Sequence, residues 1–282
     1  MPGAGLAMAD PLVIQCAVTG SQDIDPDRHP QLPGTPGAII DAAIEAWNAG
    51  ASVIHLHARE PDGTPTQDGA RYAELVEGIR ARGCDAILNL SCGTAGGRSS
   101  NDDRFAFLAD VRPEMASFDC GTINFGDRIF EGDLPLLRRM AAAFDAAGTV
   151  PEVECFDSGH VGLALQLRDE GLLQDPLRIQ LVVGIPGTGV DASPQAIEYL
   201  RSRLPQDAPW SICAPGRHQL PVNLHCIAWG GHVRTGLEDN LRLAPGVPAS
   251  NGQLVERIVE LARIAGRPVA SPDDAREILG VG

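Results

Sequence analysis

Between Leu12 and Gly266 the chain alternates short apolar runs with longer amphipathic ones, and this alternation constrains its fold more than any other feature. "LVIQCAVTG" (12–20) is followed by "PGAIIDAAIEAWNAG" (36–50), "ASVIHLHA" (51–58) by "GARYAELVEGIRARG" (69–83), and "DAILNLS" (85–91) by a helical stretch near 101–109. "MASFDCGT" (115–122) precedes "LPLLRRMAAAFDAAG" (134–148), and "VPEVECFD" (150–157) precedes "GHVGLALQLRDEG" (159–171). "LRIQLVVGI" (177–185) then leads to "SPQAIEYLRSRL" (193–204), "PWSICA" (209–214) to "LPVNLHCIAWG" (220–230), and "GHVRTGLE" (231–238) to "NGQLVERIVELARIAG" (251–266). Short apolar runs bounded by turn residues read as buried strands, and the longer runs, with their three-to-four-residue apolar spacing, read as helices. Eight strand–helix units with no Gly/Pro/Ser-rich linker predict an α/β protein, a single (β/α)8 TIM barrel over residues 11–282 with a short N-terminal extension at 1–10.

Local signals agree with these boundaries. Ser193 before Pro194 and Ser271 before Pro272 read as N-caps with proline in the first turn, while Gly50, Gly83, Gly148, Gly171 and Gly266 stand where helices should stop. A doubly wound dinucleotide fold is disfavoured, because "GTAGG" (93–97) and "GIPGTGV" (184–190) lack the GxGxxG spacing that lets backbone approach a pyrophosphate.

Composition removes several function classes. The chain has 22 basic and 37 acidic residues, a net charge of −15, which argues against nucleic acid or an anionic membrane surface as a partner. All 22 basic residues are arginine, so no side-chain amine is present for a Schiff base or a lysine-anchored pyridoxal cofactor. Apolar residues make up 44% but aromatic ones only 4%, giving a core of Ala, Val, Leu and Ile. The seven cysteines (Cys16, Cys84, Cys92, Cys120, Cys155, Cys213, Cys226) are odd in number and form no CxxC pair, so they read as reduced, buried thiols of a cytoplasmic protein. No run of 18 apolar residues and no basic, apolar leader is seen.

The chemistry is concentrated in "VIHLHARE" (53–60). In a strand, residues i and i+2 face the same side, so His55 and His57 converge while Ile54 and Leu56 turn toward the helices. A lone inward histidine would read as a hydrogen-bonded core residue; two at the carboxyl end of a barrel strand favour metal ligation. A catalytic zinc needs a third protein ligand from another strand, and "GGHVRTGLEDN" (230–240) offers Glu238 and Asp239 at its end with Arg234 upstream. The "ED" pair could equally be a solvated cap. "NLSCGTAGG" (89–97) places the Ser91 hydroxyl and the amides around Gly93 at the end of the third strand, suited to a carboxylate or phosphate. "PEVECFDSG" puts Glu152 and Glu154 on one face, and two acids buried together require a cation, a metal or protons.

Together, "CAVTG", "GASVIHLHAREPDGTPTQD", "NLSCGT", "RPEMASFDCGTINFGD", "PEVECFDSG", "GHVRTGLEDNL" and "GRPVASPDDAREILG" resemble the β-keto acid cleavage enzymes, in order and over about residues 11–280. The resemblance implies a zinc-dependent barrel enzyme that converts a β-keto acid and acetyl-CoA into acetoacetate and a new acyl-CoA, as a homo-oligomer, tetrameric by the same token. It implies His55, His57 and Glu238 as zinc ligands, Arg234 and Asp239 as the deprotonating pair, Ser91 and Ser117 as substrate-holding groups beside the Gly93 turn, and Glu154 as an acid at the substrate's far end. Ser117 replaces a threonine of the aminohexanoate-cleaving members, and Gln22 stands where they have an acid, with Asp23 beside it. With no other countercharge assigned to Glu154, a cationic substrate tail is expected. Arg217 in "APGRHQ" is a loop candidate for CoA.

The rival reading is an amidohydrolase-like metal-dependent hydrolase, since HxH also opens that pattern. It requires further histidines on later strands, of which only His160 and His232 fall near strand termini.

Overall fold

A computed structural model of the chain describes residues 10–27 and 29–282. The extension expected over residues 1–10 lies outside the described residues except for Asp10. Eight parallel strands close into a barrel: β1 (Ile14–Ala17), β2 (Val53–Leu56), β3 (Ile87–Leu90), β4 (Met115–Asp119), β5 (Val150–Cys155), β6 (Arg178–Val182), β7 (Trp210–Cys213) and β8 (His232–Thr235), each paired with its sequence neighbours and β8 with β1. This is the expected (β/α)8 order, with right-handed strand–helix–strand crossovers as its simplest connection.

Helices lie between the strands: α1 (Pro36–Asn48), α2 (Gly69–Ala81), α3 (Asp103–Ala106), α4 (Leu108–Val111), α5 (Leu134–Ala147), α6 (Ser158–Asp169), α7 (Pro194–Arg201), α8 (Gln219–Ala228), α9 (Asn251–Ile264) and α10 (Pro272–Leu279). Ser193 and Ser271 cap α7 and α10 as expected, the latter in a reciprocal capping box with Asp274. The single helix expected near 101–109 is two short turns meeting at Phe107, whose ring packs 4.3 Å from that of Tyr72.

Ile54, Leu56, Leu88, Leu90, Ile179 and Leu181 point outward into the main apolar cluster beneath the helices. The interior carries a polar layer instead. Glu152 on β5 accepts hydrogen bonds from the Gln15, Asn89 and Gln180 side-chain amides at 3.1, 2.5 and 3.1 Å. Below it, α10 closes the amino end of the barrel, with Ala275 and Leu279 packed on Val13, Val53, Ile87 and Met115. Short two-stranded hairpins follow β2, β4 and β8, at 58–66, 123–130 and 242–248. None of the described helices is long and apolar enough to cross a membrane.

Candidate active site

The carboxyl ends of the strands bring the expected residues together. β2 ends at Leu56, so His57 leaves the strand directly after it, and both imidazoles are buried with ring centres 5.2 Å apart. β8 ends at Thr235, earlier than expected, and a tight turn carries Glu238 and Asp239. The Asn240 N–H donates to the Gly236 carbonyl at 3.0 Å, and the Glu238 N–H donates to the Ala17 carbonyl of β1 at 3.1 Å. Gly236 has φ of +125°, and a Cβ there would lie 2.2 Å from the Ala17 oxygen, so only glycine allows the turn to approach β1 this closely.

His55 Nε2 and His57 Nε2 face the two Glu238 oxygens at 3.7 and 3.3 Å. Among the described residues, these three form the group able to hold a metal, with all three ligand atoms within 4.8 Å of one another. The donor set fits zinc: two imidazole nitrogens and a carboxylate, with a fourth position left for substrate. Glu238 Oε2 is buried and has no hydrogen-bond partner, as a ligand atom awaiting a cation would be. Burial, reinforced by Arg234, pulls His55 well below the ordinary imidazole range, so its lone pair is available. Burial alone would raise Glu238, but Arg234 and the two histidines outweigh it and hold the carboxyl well below its usual range.

Arg234 is the hub. Its Nε and Nη2 donate to the two oxygens of Asp239, each at 3.0 Å, in a bidentate fork. Nη2 also lies 2.7 Å from Glu238 Oε1, and Nη1 lies 3.6 Å from Glu154 Oε1. Burial outweighs the lowering by Arg234 and, with Glu238 adjacent, leaves the Asp239 carboxyl above its ordinary value.

The expectation that Glu154 lacks a cation is corrected, because Arg234 supplies one. Burial and the neighbouring Asp119 also push Glu154 well above the usual carboxylate range, which favours its protonated form. A cationic substrate tail therefore loses its main argument. Of the cation, metal or protons expected for these two buried acids, Glu152 meets three amide donors in place of a cation or metal, and burial raises its carboxyl in the direction of the protonated form.

Ser91 Oγ accepts from the Gly93 N–H at 3.1 Å and Ser117 Oγ accepts from the Cys92 N–H at 3.0 Å, so the turn after β3 fixes both hydroxyls. A Cβ on Gly93 would sit 3.2 Å from Ser91 Oγ and 3.6 Å from His57 Cε1, which places its backbone against the site. Gln22 lies alongside: a Cβ on Gly20 would meet Gln22 Oε1 at 2.5 Å and Glu238 Cγ at 2.6 Å. Asp23 instead points to solvent near Arg98, 3.6 Å away, and does not join the group. Arg217 is exposed on the turn after β7, whose Gly216 N–H donates to the Asp239 carbonyl at 2.8 Å.

Four participants escaped the sequence reading. Asp119 pairs across strands with Glu154 and lies 3.4 Å from the buried Arg104. Arg104 Nε also donates to the Cys92 carbonyl at 2.9 Å, tying α3 to the turn after Ser91. Gln180 Oε1 accepts from Arg234 Nη1 at 3.4 Å, and Ser21 Oγ lies 3.0 Å from His57 Nδ1. The i, i+2 rule that singled out the histidines would have found Asp119 from Ser117. Of the later histidines, His232 is the first residue of β8, at the opposite barrel end, where its Nδ1 accepts from the Val13 N–H at 3.1 Å. His160 is in the first turn of α6, packed against Gly121. Neither supplies the further ligand that the hydrolase pattern requires.

Comparison with known proteins agrees with this geometry. The family model of the beta-keto acid cleavage enzyme matches residues 11–281. A 3-keto-5-aminohexanoate cleavage enzyme of Acetoanaerobium sticklandii is 41% identical over 272 residues, 96% of this chain and 98% of the relative. A 3-oxoadipate:acetyl-CoA acetyltransferase of Cupriavidus necator is 36% identical over 278 residues, covering 97% of this chain and 96% of the relative. The solved structure of ObcA in binary complex with oxaloacetate superposes with a TM-score of 0.74 at 25% identity, over 90% of this chain and 68% of that one. With this match along nearly its whole length, the chain belongs to the beta-keto acid cleavage enzyme family.

Proposed function

We propose that this protein exchanges a β-keto acid with acetyl-CoA, releasing acetoacetate and a new acyl-CoA, at a zinc site made by His55, His57 and Glu238. The observation that carries the reading is the meeting of three metal-ligating atoms with a bidentate Arg234–Asp239 pair at the barrel's carboxyl end. When bound there, zinc supplies a Lewis acid for the keto oxygen and a countercharge for an enolate, which a chain without lysine cannot provide through an imine.

Asp239 is the base for the C2 proton. Its position above the ordinary carboxylate range strengthens it as a proton acceptor, and the Arg234 fork fixes the direction of both oxygens. Ser91 and Ser117 use their oxygens as acceptors toward backbone amides, so each hydroxyl proton is free to be donated to the substrate carboxylate. The C2 enolate attacks the acetyl thioester carbonyl, the released CoA thiolate attacks C3, the C2–C3 bond breaks, and Asp239 returns its proton to C2. Acetoacetate then carries C1 and C2 of the acid, and the remainder leaves as its CoA ester. Burial around Arg234 keeps water from the enolate and strengthens each charge interaction. The same reading takes the protein to be a cytoplasmic homo-oligomer.

A panel of cationic, neutral and acidic β-keto acids, each assayed for acetoacetate with and without acetyl-CoA, tests the proposal. Acetoacetate formation that depends strictly on acetyl-CoA is expected. Turnover of any substrate without a thioester would instead favour the hydrolase.

A further inference from the structure

The two histidines of the group are held differently. His55 Nδ1 is buried with no hydrogen-bond partner, whereas His57 Nδ1 lies 3.0 Å from Ser21 Oγ. An imidazole that offers Nε2 to a cation must carry its proton on Nδ1, and that proton needs an acceptor to fix the ring's rotation. Ser21 is the residue placed to accept it.

Its placement is determined by neighbours on both sides. The buried Arg59, two residues beyond His57, donates through Nη2 to the Gly20 carbonyl at 2.5 Å and to the Gln22 carbonyl at 2.7 Å, and through Nη1 to the Gly63 carbonyl at 2.7 Å. One guanidinium therefore clamps the loop after β1 onto the segment leaving β2, and Ser21 is the residue between the two clamped carbonyls. On the other side, Gly20 approaches Glu238 too closely for any Cβ. The loop has little freedom to withdraw Ser21 from the imidazole.

We infer that Ser21 is a positioning residue for the metal centre: its hydroxyl accepts the His57 Nδ1 proton, selects the tautomer that presents Nε2, and owes its own place to Arg59. This rests on the reading of His55, His57 and Glu238 as a metal site.

The test compares wild type, Ser21→Ala and Ser21→Thr, each stripped of metal and reloaded with zinc. Competition against a chromophoric chelator should show zinc affinity lowered by about 10- to 100-fold in Ser21→Ala, the scale on which outer hydrogen bonds tune a metal ligand. Ser21→Thr, which keeps a hydroxyl, should restore it. In 15N-histidine-labelled, zinc-loaded protein, the His57 Nδ1–H signal, assigned in wild type by its nuclear Overhauser contact with the Ser21 side chain, should be resolved and slow to exchange in wild type and lost to fast exchange in Ser21→Ala. Unchanged affinity and an unchanged Nδ1–H signal in Ser21→Ala would overturn the inference while leaving the metal site standing. A wild-type protein that binds no zinc would overturn the metal reading, and this inference with it.

Discussion

Replacing Gly236 by alanine should disconnect the metal group while leaving the rest of the barrel interior in place. The new Cβ would lie 2.2 Å from the Ala17 oxygen and 2.8 Å from both the carbon and the nitrogen of Ala17, all of them backbone atoms of β1 that cannot rotate away. The φ of +125° adds strain of about 1–3 kcal/mol for any residue with a side chain. If the turn moves to relieve the clash, the 3.1 Å bond from the Glu238 N–H to the same Ala17 oxygen is lost, at about 1 kcal/mol. The total of about 2–4 kcal/mol corresponds to a melting temperature lower by roughly 4–16 °C in a chain of this size. Because the displaced segment carries Glu238, zinc affinity should fall by more than about 100-fold, beyond the loss expected from an outer contact alone. Thermal unfolding by circular dichroism and zinc competition on the same sample measure both. A variant that melts within about 1 °C of wild type and binds zinc as tightly would refute the argument that close approach of β8's turn to β1 sets the third ligand.

Wild type should carry about one zinc per chain by elemental analysis, and His57→Ala should lose most of it; unchanged content would mean the metal sits elsewhere. Asp239→Asn should keep zinc and fold while kcat drops by roughly 10²-fold or more, and full activity with zinc bound would place the base elsewhere. At the opposite barrel end, burial and then Arg267 pull His232 down to about 3, so between the unfolded value near 6.5 and about 3 the unfolded chain binds a proton that the folded chain does not. Stability is therefore retained above pH 6.5 and lost as pH falls: at pH 5 the loss from this group is about 2 kcal/mol. Urea unfolding at pH 7.5 and 5.0 should show wild type losing about that much more than His232→Asn, and equal losses in the two proteins would rule the mechanism out.

The barrel was legible because its evidence is periodic: each strand and helix announces itself within about ten residues, and eight repeats leave few closed arrangements. The histidine pair was legible for the same reason, as a local i, i+2 pattern. Glu238 was harder, since the turn that carries it begins after Thr235 and its position depends on a backbone contact with Ala17, more than two hundred residues away in sequence. Ser21 and Arg104 lie on the connections after β1 and β3 and reach the site only when the barrel closes, so no spacing within the sequence records them, whereas Asp119, two residues beyond Ser117 on β4, was within reach of the rule that found the histidines. The charge balance around Glu154 failed for a related reason: Arg234 was assigned to Asp239 alone, whereas a guanidinium with five N–H groups serves Asp239, Glu238 and Glu154 together.

All seven cysteines are buried, and burial raises every one of their thiols, Cys120 to about 12. A thiol reagent that attacks only thiolates should find almost nothing to modify in the native state. Labelling must wait for the chain to open, and the sites are spread along the chain, from Cys16 on β1 to Cys226 on α8. Mass spectrometry of the slow labelling pattern would then map which parts of the molecule open separately and which open only with the whole, without introducing a probe. The same burial holds Cys213, which hydrogen-bonds to the Asp239 carboxylate beside the histidine group, in its thiol form.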